Sequence, residues 1–367
     1  MRVLIITFDP PENTGGIEGR ANNYTKQLIA LGHFVEVISF SPEGKYTKEE
    51  LYGVTLWRFP ASSRRAIKSL GKTSKEISRN KIDAVFLLSG ALTFYGVLLL
   101  LRAKLKGINT LIFFYGKDIL TAKASFLSAM ALWISPRLAE GIATNSHYTA
   151  GLLPKKYERR AKILYPSVDP SIVDQVPVEA PKKTGKVLLF VGRLVKRKGV
   201  DDLLRAFHSL QELDTLVDIV GDGPELNSLQ SLSKELGVSD RVKFWGKLSG
   251  GALYERYANC YLFVMPSKRT KTDVEGFGTV FLEAGLFGKP CVGTRSGGIP
   301  EAILDGETGL LVPEEKNGLL SEALLALLKD PSRAKTMGEI ARKRVLSSFT
   351  WEESTKLLIS FLSDPKM

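Results

Sequence analysis

Two glutamates in the second half of the chain, Glu275 and Glu283, have the spacing of a pair of ligand-binding carboxylates. Gly276 and Gly278 predict a loop that leads straight into a helix, with Glu275 in the loop and Glu283 about two turns along the helix. Carboxylates at this separation can accept hydrogen bonds from hydroxyls at opposite ends of a sugar nucleotide. The helix N-terminus would add an anion site made by backbone amides, those of Phe277, Gly278 and Thr279.

Two basic residues are predicted at the end of a neighbouring strand. A strand over 187–191 leads into Gly192-Arg193, and Lys198 immediately precedes Gly199 and the next helix. Two fixed cations can neutralise a diphosphate without a metal ion, although a solvated basic turn is an equal alternative on these residues alone. Gly221 and Gly223 predict a turn at the following strand end, where backbone could approach a ligand closely.

The elements that position these residues form two series of βα units. The first begins with a strand at 3–8, a loop at 10–19, a helix at 20–31 and a strand at 34–40, and the second begins at 187 after a linker at 177–186. This pattern predicts an α/β protein with two doubly wound, Rossmann-like domains whose strand carboxyl ends face a central cleft. The predicted divisions are 1–172, 173–347 and a C-terminal helix at 348–367.

Six motifs of the second half, taken in order, resemble glycosyltransferase family 4, whose members are retaining enzymes of the GT-B fold. The motifs are Gly192-Arg193 with Lys198-Gly199, Gly221-Asp222-Gly223-Pro224, Pro266-Ser267, Glu275 with Glu283-Ala284, Gly288-Lys289-Pro290 and Gly297-Gly298 with Pro300-Glu301. In the first half, Gly15-Gly16 is similar to the glycine loop of the family. The long loop 267–274 looks like that of phosphatidylinositol mannosyltransferases, which favours GDP-mannose over a UDP-linked donor without deciding between them.

The resemblance implies roles for individual residues. Arg193 and Lys198 would hold the diphosphate, Glu275 would bind the hydroxyls of the sugar, and Glu283 would bind the ribose. The implied donor-binding residues are Gly15, Gly16, Arg193, Lys198, Gly246, Lys247, Leu248, Glu275, Phe277, Gly278, Thr279 and Glu283. The resemblance also implies that the last helix packs against the first domain.

One segment departs from the family. Many members carry His-Gly-x-Asp or His-Gly-x-Glu where this chain has Tyr115-Gly116-Lys117-Asp118. Tyr115 could donate a hydrogen bond to the donor sugar, but it could not titrate near neutral pH as histidine does. The predicted catalytic residues are therefore Arg193, Lys198, Glu275, Asp118 and Tyr115.

The positive charge of the chain is concentrated in its first half. Residues 1–172 contain 24 Lys and Arg against 13 Asp and Glu, whereas residues 173–367 contain 27 against 26. Within 58–81, basic residues at helical spacing form one face, which could contact an anionic membrane or simply be solvated. The predicted membrane-contact residues are Arg64, Arg65, Lys68, Lys72, Lys75 and Arg79. Nucleic acid is not expected as a partner, because no stacking platform accompanies these charges.

Several expectations concern the setting of the protein. The uncharged stretch 84–101 is interrupted by Gly90 and Gly96, which favours a buried strand and a covering helix over a membrane span. Cys260 and Cys291 are expected to be buried, reduced thiols. We expect a cytoplasmic protein, peripheral at most, with no metal ion and no cofactor besides its GDP- or UDP-linked donor substrate.

Together these features predict a retaining glycosyltransferase that moves a hexose, with mannose favoured, to a hydroxyl acceptor such as a membrane lipid or lipid-linked glycan. A soluble acceptor and a catalytically silent sugar-nucleotide-binding protein remain alternatives. An oxidoreductase is disfavoured, because no Gly-x-Gly-x-x-Gly follows the first strand.

Overall fold

The structure, a computed structural model, describes residues 1–8, 18–41, 47–51, 53–60, 81–122, 126–176, 185–210, 213–271 and 273–364. The chain divides into two compact units, Met1–Pro166 with Trp351–Met367, and Ser167–Thr350. Both units are α/β with a largely parallel sheet, which confirms the predicted fold class. Predicted site residues outside the described residues are Gly15, Gly16, Arg64, Arg65, Lys68, Lys72, Lys75 and Arg79.

The first unit contains an eight-stranded sheet in the order β3-β4-β2-β1-β5-β6-β7-β8. Its strands are β1 (Arg2–Thr7), β2 (Phe34–Ser41), β3 (Thr47–Leu51), β4 (Val54–Pro60), β5 (Ala84–Leu87), β6 (Asn109–Phe114), β7 (Gly141–Thr144) and β8 (Ala161–Ile163). All are parallel except β3, an edge strand antiparallel to β4. The sequence analysis missed β3, because Lys48, Glu49 and Glu50 give it no apolar alternation.

Among the described residues, six helices of the first unit precede the second unit. They are α1 (Glu18–Ala30), α2 (Phe94–Leu105), α3 (Gly116–Ala122), α4 (Phe126–Leu138), α5 (His147–Gly151) and α6 (Lys155–Glu158). The apolar stretch 84–101 is split between β5 and α2, as predicted. In the described ranges, every helix is too short or too polar to cross a bilayer.

The second unit is built on a six-stranded parallel sheet in the order β11-β10-β9-β12-β13-β14. Its strands are β9 (Lys186–Val191), β10 (Thr215–Val220), β11 (Val242–Gly246), β12 (Leu262–Met265), β13 (Cys291–Thr294) and β14 (Gly309–Val312). Its helices are α7 (Val200–His208), α8 (Leu226–Glu235), α9 (Gly250–Asn259), α10 (Thr279–Leu286), α11 (Ile299–Ala302), α12 (Asn317–Lys329) and α13 (Pro331–Ser348). The strand order reverses between β9 and β12, and ligands of doubly wound sheets bind beyond the carboxyl ends of strands at such a reversal. Cys260 and Cys291 are buried free thiols, as predicted.

The last helix, α14 (Trp351–Ser363), belongs to the first unit. Its Trp351, Leu358 and Leu362 join the apolar core on one face of the eight-stranded sheet. The Tyr24 hydroxyl lies 2.7 Å from that of Ser354. Residues 167–176 belong to the second unit, so the division falls a few residues before the sequence-based boundary at 172.

Candidate functional site

A buried cluster of charges lies beyond β9 and β12 in the second unit. The Lys198 ammonium donates to Glu275 Oε2 at 2.5 Å, and Arg197 Nη1 donates to the same oxygen at 2.8 Å. All three side chains are at least 85% buried, with 12%, 15% and 13% of the side-chain surface exposed for Lys198, Arg197 and Glu275. Two residues that sequence reasoning assigned to the donor, Lys198 and Glu275, are therefore in direct contact.

The two cations determine the ionisation of Glu275. Burial alone would raise the pKa of this carboxyl, but the charges and hydrogen bonds of Lys198 and Arg197 outweigh burial and lower the pKa to about 2. Glu275 is consequently anionic throughout the physiological range. An anionic carboxylate can only accept hydrogen bonds, which suits it to bind hydroxyl groups.

Arg197 is the residue of this cluster that sequence reasoning missed. Its Nε lies 3.1 Å from Asp273 Oδ2, so one guanidinium links Asp273 and Glu275 at the end of the loop after β12. A planar guanidinium presents its donors in a rigid fork, so it can hold two carboxylates in fixed directions. The consecutive basic pair Arg197-Lys198 is a signal in the sequence, but the family resemblance implies a role only for Lys198.

A second contact fixes the other end of that loop. The Lys268 ammonium lies 3.1 Å from Asp201 Oδ2 and 2.9 Å from Asp202 Oδ2, both in the first turn of α7. The Lys268 backbone amide also donates to the Arg197 carbonyl oxygen at 2.8 Å. The long loop is thus tied to the start of α7 at both ends, which positions the carboxylate of Glu275.

Glycine backbones make room for the Glu275 segment. A Cβ atom on Gly297 would lie 2.1 Å from the Glu275 carbonyl oxygen, and one on Gly298 would lie 2.1 Å from that of Gly276. Gly297 also has φ +57°, which side chains rarely adopt. The Gly297-Gly298 motif therefore lets the backbone that carries Glu275 approach closely. The sequence alone predicted only a glycine turn before a helix.

The second predicted carboxylate has a different partner. The buried Tyr257 hydroxyl on α9 donates to Glu283 Oε2 at 2.6 Å. Burial raises the pKa of Glu283, partly offset by this hydrogen bond, and burial also raises the pKa of Tyr257. Tyr257 was not predicted, because its tertiary contact with α10 leaves no local sequence signal.

The remaining donor residues lie at adjoining strand ends of the second unit. Gly246 ends β11, and its carbonyl oxygen accepts from the Gly221 amide, which follows β10, at 2.8 Å. Arg193 and Lys247 are exposed and Leu248 is half-buried. Arg193 follows β9 directly and its side chain is exposed, where a guanidinium can meet an added anion.

The start of α10 has the predicted backbone geometry. Gly278 precedes the helix with φ +94° and provides no side-chain cap, while Phe277 is buried. Thr279 is the first helical residue. Uncapped amides at a helix start carry partial positive charge and favour an anion.

Two predicted catalytic residues belong to the first unit. Asp118 accepts from the backbone amides of Tyr115 at 3.0 Å and Ile119 at 2.8 Å, at the start of α3. Burial raises the pKa of Asp118 to about 7, although these hydrogen bonds oppose the change. The ring of Tyr115 packs 4.7 Å from that of Phe113, and the buried guanidinium of Arg20 lies 5.6 Å from the Tyr115 ring.

Comparison with known proteins gives a consistent result for both units. Residues 14–172 match the family described as Glycosyltransferase Family 4, and residues 173–344 match that described as Glycosyl transferases group 1. The GDP-mannose-dependent alpha-(1-6)-phosphatidylinositol monomannoside mannosyltransferase of Mycolicibacterium smegmatis is 39% identical over 181 residues, 48% of this chain and 47% of that protein. Its namesake from Mycobacterium tuberculosis is 27% identical over 383 residues, covering 98% of both chains.

A solved structure supports the fold assignment. HepE from Anabaena, crystallised in complex with UDP, aligns with a TM-score of 0.82 and 19% identity over 99% of this chain and 100% of that chain. At this identity the likeness concerns the fold. The family matches over 14–344 show that the chain belongs to glycosyltransferase family 4 and is a glycosyltransferase, and the structural likeness shows the GT-B fold.

Proposed function

We propose that this glycosyltransferase moves mannose from GDP-mannose to a hydroxyl group of a membrane lipid or lipid-linked glycan, with retention of anomeric configuration. The observation that carries the proposal is the buried Glu275 carboxylate held by Lys198 and Arg197 beyond β9 and β12. The names of the mycobacterial relatives, both GDP-mannose-dependent mannosyltransferases acting on a phosphatidylinositol mannoside, support this donor and this class of acceptor.

The cluster suggests how the donor is held. Lys198 contacts Glu275, and a diphosphate placed beside it would compete for the same ammonium. Arg197 keeps a second, independent contact with Glu275, so the carboxylate stays anionic and oriented while Lys198 serves the phosphates. Glu275 would then accept hydrogen bonds from the sugar hydroxyls.

Charge development explains why two cations are useful. Breaking the bond between the sugar and the diphosphate leaves an additional negative charge on the leaving phosphate. Lys198, Arg193 and the amides at the start of α10 would stabilise that charge, and preorganised groups of this kind lower the barrier most where charge develops. Because these protein groups supply the positive charge that the leaving phosphate needs, we propose that no metal ion is required.

The remaining roles are assigned on the same basis. Glu283, oriented by Tyr257, would bind the ribose, and the backbone around Gly246-Lys247-Leu248 would meet the base. Asp118 and Tyr115 would act on the acceptor or donor sugar from the first unit, and the leaving phosphate would take the acceptor proton on the same face of the sugar. We place the enzyme at the cytoplasmic face of a membrane.

A matrix of donors and acceptors tests this proposal. The protein is incubated with GDP-mannose, GDP-glucose, UDP-glucose or UDP-N-acetylglucosamine, each with phosphatidylinositol in detergent micelles or with free inositol. Mass spectrometry identifies the product, and proton NMR gives its anomeric configuration. We expect α-mannosyl lipid from GDP-mannose.

The other outcomes separate the alternatives. Transfer only to inositol would replace the lipid acceptor by a soluble one, and transfer from a UDP-sugar would overturn the choice of base. A β-linked product would refute retention. Donor binding without transfer to any acceptor would favour a silent sugar-nucleotide-binding protein.

A further inference from the structure

One helix of the first unit presents large apolar side chains to solvent. On α4, Phe126, Leu127, Met130 and Trp133 are 83%, 70%, 45% and 58% exposed. Phe126, Met130 and Trp133 are four and three residues apart, and Leu127 lies beside Phe126. This spacing places all four on one side of the helix, which we call the α4 stripe. Single exposed apolar residues are ordinary, but a continuous stripe with two aromatic side chains marks an interaction surface.

The opposite side of α4 holds the helix in this orientation. Ala131, Leu132 and Ser135 are buried, and the Ser135 hydroxyl donates to the Ala91 carbonyl oxygen at 2.5 Å. Leu132 belongs to the apolar core on one face of the sheet. Rotating the α4 stripe inward would break these contacts, so the stripe is fixed at the surface.

Basic groups surround the C-terminal end of the stripe. The Arg137 guanidinium lies 3.3 Å from the centroid of the Trp133 ring. The Lys104 ammonium donates to the Arg137 carbonyl oxygen at 3.0 Å, and Arg160 Nη2 donates to that of Glu140 at 3.2 Å. The C-terminal ends of α2 and α4 therefore lie together, and α2 adds Leu105, which is 79% exposed.

The stretch of sequence that contains α4 has no acidic residues. Between Asp118 and Glu140 the chain has no Asp or Glu, but it has Lys123 and Arg137. At the other end of the stretch, Lys117 is exposed on α3. An apolar stripe bordered by cations complements a bilayer with anionic headgroups, where apolar side chains enter the acyl boundary and cations contact phosphates.

We propose that the α4 stripe docks the first unit onto an anionic membrane surface, with Trp133 and Phe126 inserted at the level of the headgroups. Aromatic side chains favour this depth because they combine an apolar body with the polar interface. A second copy of the chain would bring like charges together, since residues 1–172 carry 24 basic against 13 acidic residues. Nucleic acid would use the cations but leave the apolar stripe unexplained.

The docking surface deepens the proposed lipid-directed function and rests on it for its purpose. It differs from the basic segment that the sequence analysis selected for membrane contact, which lies outside the described residues. Docking through α4 would bring the first unit to the membrane without a membrane-spanning helix. The lipid acceptor could then be reached from its own bilayer.

Vesicle flotation of the whole protein tests the surface directly. Vesicles are made of phosphatidylcholine alone or phosphatidylcholine with phosphatidylglycerol, at low and high salt. We expect binding to the anionic vesicles, weakened by salt, and a vesicle-induced blue shift of fluorescence that Trp133→Phe removes. The double substitution Phe126→Ser/Leu127→Ser should weaken binding by about a hundredfold, since each buried side chain of this size contributes about tenfold or more.

Matched variants and a second readout make the result decisive. Ile340→Ser/Leu346→Ser changes two exposed apolar residues of α13, 40% and 43% exposed, and should leave binding unchanged. Absence of binding, equal binding by Phe126→Ser/Leu127→Ser, or a dimer of the wild type that this double substitution dissociates would overturn the proposal. Transfer to micellar acceptor is measured in parallel, so a failed donor assignment is distinguishable from a failed docking surface.

Discussion

Replacing Glu275 with glutamine removes one negative charge from the buried cluster while keeping the size of the side chain. In the wild type, Glu275 Oε2 accepts from Lys198 at 2.5 Å and from Arg197 at 2.8 Å. The substitution leaves Lys198 without its anion, whereas Arg197 retains Asp273. We therefore expect the substitution to destabilise the second unit. The loss of stability should be larger at neutral pH than at low pH.

The magnitude follows from the pKa of Glu275, which the two cations lower from 4.5 to about 2. A depressed pKa stabilises the fold above the unfolded-state value, and that contribution disappears as pH falls through the folded-state value. The difference between the unfolded-state and folded-state pKa values corresponds to a contribution of about 3 kcal/mol to the free energy of unfolding at pH 7. About 2 kcal/mol of this contribution is lost by about pH 3. The free energy of unfolding of the wild type should therefore exceed that of Glu275→Gln by about 2 kcal/mol less at about pH 3 than at pH 7.

Urea denaturation at several pH values between neutral and about pH 3 measures this difference. Hydrogen exchange of peptides from 167–350 assigns the transition to the second unit, since two units need not unfold together. A stability difference between the two proteins that stays constant across this range would refute the reasoning. A difference that grows as pH falls would refute it as well.

Three further predictions follow from single contacts. Tyr257→Phe removes the hydrogen bond to Glu283 and should raise the KM for the donor several-fold with little change in kcat, measured by steady-state kinetics; an unchanged KM would contradict the role of Tyr257. Gly297→Ala places a Cβ atom 2.1 Å from the Glu275 carbonyl oxygen and should lower the free energy of unfolding by more than about 1 kcal/mol, measured in urea. For Asp118, whose folded-state pKa is raised from 3.8 to about 7, stability should fall between pH 5 and pH 8 in the wild type but not in Asp118→Asn.

Much of the fold was predictable because its signals are local. The apolar run 187–191 before Gly192 marked the first strand of the second unit, and the two βα series implied two doubly wound sheets. The edge strand β3 was missed because it pairs only with β4 and carries charged residues at consecutive positions. The strand β3 forms because it pairs with β4, and its own sequence has no alternation of apolar and polar residues.

The site was predictable where chemistry is tied to sequence spacing. Lys198 and Glu275 were both selected, and they meet in the structure. Arg197 and Tyr257 were not selected, because their importance comes from contacts with Glu275 and Glu283 across long stretches of chain. The α4 stripe was missed for a similar reason, since its apolar residues are recognisable as a surface only when exposure is known.

Thermal unfolding of wild type, Lys198→Ala and Lys196→Ala with GDP-mannose, GDP and UDP-glucose tests the central claim most directly. Lys196 is an exposed neighbour of Lys198 and serves as the matched control. A ligand at about 100 times its Kd stabilises its site by about 2.7 kcal/mol, so we expect GDP-mannose and GDP to raise the unfolding temperature of the wild type and Lys196→Ala, and not that of Lys198→Ala. An unchanged unfolding temperature with every nucleotide, or an equal response of Lys198→Ala and wild type, would contradict a donor site built on Lys198 and Glu275.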